Sequence, residues 1–459
     1  MKLYSDNIDT FDSFELHGKW WLPDAPHDRI HGTLTFFSSQ RVELRLDGKF
    51  QHPNLDDMLQ GPFKTECILG ETIEEEFVTV HNAFASRVGK TQTFVADSLF
   101  AGTRFNKASD LAISGALVEY TNLDEWASVS LIKTVPGTAP HSFQVVLPTN
   151  SQSLLVMQNV PPFMSLELRA AVRTSSRIGS FSAEEHAFFD CVFEKPLTLR
   201  EVDTILLRLG NLLSVLQGDG TYVKKVRLRI VAPKNGDSVT EWFRPSRLTA
   251  PVVVSRHDMN LPLHELSAAV AVNLFAAWFA SASLLDSVYD LVVGTYGGQS
   301  ERTKFRALAQ AVEAFHRAVY GGTYTDEEFY QPIRKAICAA IPTNLDADFQ
   351  QRLESAIKYG YQFSLRTRLK KLLETVSEAT KDAVIREKTS TFIGILVAVR
   401  NYLTHFDDKE KPSIVDTSGD MYNLNQRLGA LMIVLLLTHC GVPEDKATKG
   451  IVAHLRLAF

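Results

Sequence analysis

The sequence predicts an α+β protein of two domains. The first is a β-rich, sandwich- or barrel-like N-terminal domain with one packed helix; the second is an all-α helical bundle. Three observations predict it. The first half alternates short apolar runs with turns rich in Pro, Gly, Asn and Ser. The second half places apolar residues at helical spacing with few interruptions. The chain's 459 residues also exceed the size at which a single core stops growing. The domains are placed at residues 1–245 and 255–459, with the boundary near 250.

The elements follow in order. "GTLTFFSSQRVELRLDGKF" (Gly32–Phe50) reads as two strands around a Ser-Ser-Gln turn. Further strands are expected in "TQTFVADSLFAG", "WASVSLIKTV", "SFQVVLP", "QSLLVMQNV", "SLELRAAVRT", "HAFFDCVFE" and "VKKVRLRIVA". One helix interrupts them, because Val202, Ile205, Leu206, Leu209, Leu212, Leu213 and Leu216 recur every 3.6 residues. It is expected to cover one face or end of the sheet. The stretch from Ala232 to Asn260, with Pro233, Gly236, Pro245 and Pro251, reads as a connection.

Helical runs then begin around residues 263, 281, 300, 325, 346, 363, 382, 420 and 443. Thr325 and Glu328 have capping-box spacing, and Pro332 is expected to kink or split its helix. Gly441 and Pro443 mark a stop followed by a new start. Short loops between such helices imply an antiparallel bundle. The two most apolar stretches, Leu266–Gly294 and Leu428–Gly441, are expected to be buried core helices; about ten strongly apolar residues in a row in the second are too few to span a bilayer.

Composition narrows the function classes. A net charge of −5 gives no overall basic character, so nucleic-acid binding requires a local patch. Cys67, Cys191, Cys338 and Cys440 are scattered without a CxxC pair, against a structural zinc site and in keeping with a reducing compartment. The N-terminus has no apolar signal-peptide region. A cytoplasmic protein without metal, cofactor or membrane partner is the expectation. No P-loop, Rossmann glycine fingerprint, HExxH or GxSxG is present.

The chemistry-bearing stretch is "LVAVRNYLTHFDD" (Leu396–Asp408). Ile393, Ile395, Leu396, Val399 and Leu403 form its apolar stripe, and the run ends in polar residues around Phe406. Arg400 and His405 are five residues apart, about 140° around an ideal helix. Asn401 and His405 share a face, being four apart. Histidine moves protons near neutral pH, and arginine is a permanent bidentate partner for phosphate. The set fits cleavage of an RNA phosphodiester by its own 2′-hydroxyl. By spacing alone, though, roughly one Arg-x4-His match arises by chance in such a chain, and the favoured reading is an arginine capping helix carbonyls beside a satisfied terminal histidine.

Two further sets stand out. Glu313, His316 and Arg317 share one helical face, as a supporting catalytic set or as an ion-pair network. Arg366, Arg368, Lys370 and Lys371 in "SLRTRLKKLLE" could track RNA phosphates or be a solvated face opposite Leu365, Leu369, Leu372 and Leu373. "VKKVRLR" reads as an exposed sheet face. Of Trp20 and Trp21, at least one is expected in the core, since adjacent strand residues face opposite sides.

"VRNYLTH" closing an apolar helix of an all-α domain resembles the HEPN superfamily signature. "FRALAQAVEAFHR" (305–317) and "SLRTRLKKLLE" (364–374) are similar to ApeA-type HEPN proteins, and "GKWWLP" with "HGTLTF" resembles the ApeA N-terminal domain. The resemblance implies a metal-independent endoribonuclease with Arg400, Asn401 and His405 as catalytic motif. It also implies a homodimer in which one motif from each protomer lines a shared cleft, with tRNA or other cellular RNA as substrate. It further implies anti-phage defence by abortive infection, with the N-terminal domain sensing a phage-derived trigger or restraining the nuclease. The alternative is a non-catalytic HEPN module that binds RNA or protein within a sensor.

Overall fold

A computed structural model describes residues 8–38, 41–50, 63–136, 143–177, 179–231, 236–245, 253–405 and 411–455. The chain divides into two compact units, Met1–Ala280 and Ser281–Phe459. The sequence boundary near residue 250 lies outside the described residues, and the division by internal contact falls later, within a helix.

The first unit begins with β1 (Phe14–Trp21), β2 (Ile30–Phe37), β3 (Arg41–Leu46), β4 (Lys64–Thr72), β5 (Phe77–Val88) and β6 (Gln92–Thr103). One edge of β6 pairs with β5; its other edge pairs with β3 through Gln92–Ala96. The order β6-β3-β2-β1-β4-β5 therefore closes on itself as an antiparallel barrel. Period-2 alternation sends Phe14, Leu16 and Trp20 of β1, Leu34 and Phe36 of β2, and Val42, Leu44 and Leu46 of β3 into its core. Trp20 donates its indole N–H to the Gly32 carbonyl at 3.1 Å. Its ring lies where a Cβ on Gly70 would stand, which fixes that glycine. Trp21 is buried on the other face, with the Arg29 guanidinium 4.3 Å from its ring centre. Both tryptophans are structural.

A second sheet branches off the same strand. Beyond Ala96, β6 exchanges β3 for β14 (Gly236–Phe243) through Leu99–Thr103. The order then continues through β13 (Val223–Ile230), β7 (Ile113–Tyr120), β12 (Ser180–Leu197), β11 (Phe163–Arg177) and β10 (Gln152–Val160). The expected helix is α2 (Leu199–Gln217), opened by a reciprocal Thr198/Glu201 capping box. It covers one face of this sheet, where Tyr120 donates to the Leu206 carbonyl at 2.8 Å.

Some strand readings need correction. "WASVSLIKTV" begins in α1 (Leu123–Ala127), bracketed by Asn122 and Ser128 in the left-handed region, with Leu123 and Trp126 buried. Only its end is a strand, β8 (Lys133–Pro136), which pairs with β9 (Phe143–Val146) in a separate ribbon. The supposed connection contains β14, whose Trp242 and Phe243 are buried; its Pro233 and Pro251 lie outside the described residues. "VKKVRLR" is not a freely solvated face. Lys225 is 5% exposed and pairs with Glu241 at 3.3 Å, Arg227 meets the same carboxylate at 2.8 Å, and Arg229 pairs with Asp190.

The runs expected at 263 and 281 are one helix, α3 (Ala268–Val293). Among the described residues it is the one helix long and apolar enough to cross a membrane. Its first half docks within the first unit: Trp278 donates to the Arg208 carbonyl at 3.0 Å, and Phe279 sits edge-on to Phe163.

The second unit is helical: α4 (Glu301–Tyr320), α5 (Glu327–Ala339), α6 (Ala347–Lys358), α7 (Leu365–Glu374), α8 (Glu378–Val384), α9 (Thr389–His405), α10 (Ser418–His439) and α11 (Glu444–Ala453). α5 starts after Asp326 without a side-chain cap, so the Thr325/Glu328 box does not form, and Pro332 leaves the helix continuous. The run expected from 382 is two helices, α8 and α9, separated where Arg386 takes a φ of 58°. α10 is the buried hub, with Leu428 and Ala430 through Leu437 all in the core. α4 packs against α10, and α4, α7 and α9 contact one another pairwise.

Candidate active site at the end of α9

α9 buries Phe392, Ile393, Leu396, Val399, Tyr402 and Leu403. That stripe fixes which residues are left at the helix margin. Arg400 and Asn401 are half-buried there; Thr404 and His405 are exposed at the last turn.

α4 holds this end in place. Arg306 and Glu313 are seven residues apart, so they share a face, and both reach α9. Arg306 Nη2 donates to the Leu403 carbonyl at 3.0 Å, satisfying an acceptor of the final turn. Glu313 Oε1 lies 3.8 Å from Arg400 Nη2. That distance is an ion contact, longer than a hydrogen bond. The Arg400 and Glu313 side chains are 40% and 28% exposed, and an ion pair so open to solvent is worth under about 1 kcal/mol. The carboxylate thus orients the guanidinium without consuming its capacity to bind an anion. Thr404 donates to the Arg400 carbonyl at 2.7 Å, closing the turn.

The other two members of the α4 set behave differently. Arg317 is exposed. His316 is 1% exposed, and its Nδ1 lies 3.1 Å from Arg368 Nη1. Arginine has no acceptor, so Nδ1 accepts and the ring proton sits on Nε2. Burial, and then the Arg368 charge, hold the His316 pKa below its usual range, so the ring is neutral at neutral pH. A proton-shuttling role for His316 is therefore not supported; it is a buried acceptor.

Arg368 must be withdrawn from the RNA-binding set. It is 2% exposed. Its guanidinium donates to the carbonyls of Phe363 at 3.2 Å, Gly321 at 2.9 Å and Gly322 at 3.2 Å. It ties the start of α7 to the turn after α4. Gly322, at φ 119°, gives it room, since a Cβ there would collide with Nη1. Arg366, Lys370 and Lys371 remain exposed on α7. Arg306 and this buried Arg368 clamp are the site features that sequence reasoning missed. The spacing of Arg306 to Glu313 on one face was the available signal.

Two of the buried thiols are poorly placed for chemistry. Burial pushes the Cys67 and Cys440 thiols up to about 12, far from the thiolate that reacts.

The geometry is that of a polar helix end held by a neighbouring helix, and family comparison says which fold carries it. Residues 15–251 match the model of ApeA N-terminal domain 1, and residues 307–446 match that of the Apea-like HEPN domain. The chain belongs to the ApeA-like HEPN family. The first match covers the barrel, the second sheet and α2; the HEPN match covers most of α4 and runs through the start of α11, enclosing Glu313, Arg400 and His405. HEPN domains are typically ribonucleases. Comparison with curated proteins and with solved structures gives no significant match.

Proposed function

We propose that this ApeA-like chain is a metal-independent endoribonuclease that cleaves cellular RNA, tRNA among the candidates, in cytoplasmic anti-phage defence by abortive infection. Arg400 binds the scissile phosphate and stabilises charge on the phosphorane-like transition state. His405 serves as general acid or base for the 2′-hydroxyl or the leaving 5′-oxygen. Asn401, one turn before His405, orients the imidazole or the phosphate. Glu313 aims the guanidinium, and Arg317, Arg366, Lys370 and Lys371 are available to the RNA backbone.

The observation that carries this reading is the Glu313–Arg400 contact inside the matched HEPN domain. It joins the two polar sets at one place and leaves the motif arginine part-exposed. Arg400 and His405 still lie about 140° apart around α9. A homodimer supplies the missing geometry, with Arg400 of one protomer and His405 of its partner converging on one phosphate.

The test is expression of wild type, His405→Ala and Arg400→Gln in a bacterial host, with growth, RNA integrity and phage titre followed. Both variants should lose cleavage and protection while accumulating as folded protein. If His405→Ala cleaves and protects like wild type, the Arg400/His405 nuclease site is wrong; if wild type protects without cleaving RNA, the chain is instead a binding module.

A further inference from the structure

The outer face of the second sheet, opposite α2, holds a cavity of about 540 Å³ lined by residues of β7, β11, β12 and β13. That volume is within the range of small-molecule sites. Its lining is unusual for a sheet surface. Lys225, which lines the cavity, is 5% exposed, and its partner Glu241 on the neighbouring β14 is 1% exposed, although both stand on the face that α2 does not cover. Burying charges on an outer face is costly unless they are paired, and such groups concentrate at functional sites. Lys225 and Arg227 both engage Glu241 Oε1, and Oε2 of the same carboxylate is buried without a hydrogen-bond partner. Across the floor, Arg173 pairs with Glu119.

An aromatic element stands beside these charges. His186 and Phe188, two residues apart on β12, point to the same face with ring centres 5.8 Å apart and planes inclined by 24°. His186 Nδ1 is buried without a hydrogen-bond partner. Burial, then Arg173, pushes the His186 pKa down to about 4, with Lys224 and Arg227 adding to Arg173 against Glu119. The ring is therefore neutral and sits in positive potential.

From the cavity, its guanidinium and ammonium groups and the His186/Phe188 ring pair, we infer that this face of the N-terminal domain binds a nucleotide. The anionic phosphates engage Arg173 and Arg227, and the base stacks on the ring pair. The Arg173 and Arg227 side chains are 28% and 37% exposed, so each guanidinium, with its several N–H groups, can keep its carboxylate partner and also meet a phosphate. Aromatic rings beside cations are the combination that recognises a base joined to a phosphate. This site is separate from the end of α9 and does not rest on the nuclease reading.

The test is isothermal titration of the full chain with ATP, GTP, CTP and UTP, with pyrophosphate and adenosine as partial probes. At least one triphosphate should bind, at least tenfold more tightly than either partial probe. Arg173→Gln should weaken it tenfold or more. Ser182→Trp, a filler at the exposed rim that removes no ion pair, should abolish it without lowering the melting temperature. Arg400→Gln should bind as wild type does, even where it abolishes RNA cleavage, which separates this site from the nuclease site. Binding by none of the four triphosphates at millimolar concentration would overturn the inference. So would binding that Ser182→Trp leaves intact, or pyrophosphate binding as tight as the nucleotide.

Discussion

Arg400 and His405 sit where chemistry and stability separate. Neither is in the core, so substitutions should change stability by no more than about 0.5 kcal/mol at exposed His405 and about 1 kcal/mol at ion-paired Arg400. Loss of a positioned general acid or base lowers rate by about 10²–10⁴-fold. His405→Ala should therefore lose at least about a hundredfold in RNA cleavage with an unchanged urea midpoint. Arg368 predicts the opposite pairing. It is buried and saturated with carbonyl and imidazole partners. Arg368→Ala should destabilise the second unit by about 3 kcal/mol, because several buried acceptors lose their donor. Gly322→Ala should cost about 2 kcal/mol, since it forces an L side chain into φ 119° and against the guanidinium. Arg366→Ala and Lys370→Ala should leave the midpoint in place and weaken RNA binding, measured by filter binding at two salt concentrations. If Arg368→Ala unfolds no earlier than Arg366→Ala, Arg368 does not clamp α7 to the turn after α4.

At the scale of elements, the sequence was most legible where one periodicity ran unbroken. α2 and the stripe of α9 follow 3.6-residue spacing, and β2 and β3 follow strict alternation, so each was readable from its apolar residues alone. Strands that break the pattern were not. β4 buries Cys67 through Gly70 consecutively, and β5 carries a bulge and Asn82 at φ 54°, so neither shows a clean period of two. β14 was hidden by the glycine and prolines around it. The candidate site shows the same split. Arg400, Asn401, His405 and Glu313 were visible as motif residues on marked helix faces. The fate of Arg368 was not, because a helical wheel places it at the edge of the polar arc. Only the turn at Gly321–Gly322, far along the chain, supplies the carbonyls that draw it inward.

At the scale of the whole molecule, the 140° separation of Arg400 and His405 makes a claim about assembly. If each active site takes Arg400 from one protomer and His405 from its partner, mixing two inactive variants restores function. Arg400→Gln and His405→Ala chains, co-expressed with different tags and purified through both, should regain one intact site per mixed dimer, about half of wild-type cleavage. Each homodimer should remain inactive. No recovery in the doubly purified dimer would place both residues in one protomer's site.

The proposed route, attack by the RNA 2′-hydroxyl at Arg400 and His405 of this ApeA-like HEPN domain, fixes the chemistry of the product ends. The most direct measurement is the chemistry of the RNA ends made by the purified full chain in EDTA, with His405→Ala as control. 2′-Hydroxyl attack should leave 2′,3′-cyclic phosphate and 5′-hydroxyl ends, absent with the variant. Ends bearing 5′-phosphate and 3′-hydroxyl, or cleavage that persists in His405→Ala, would contradict it.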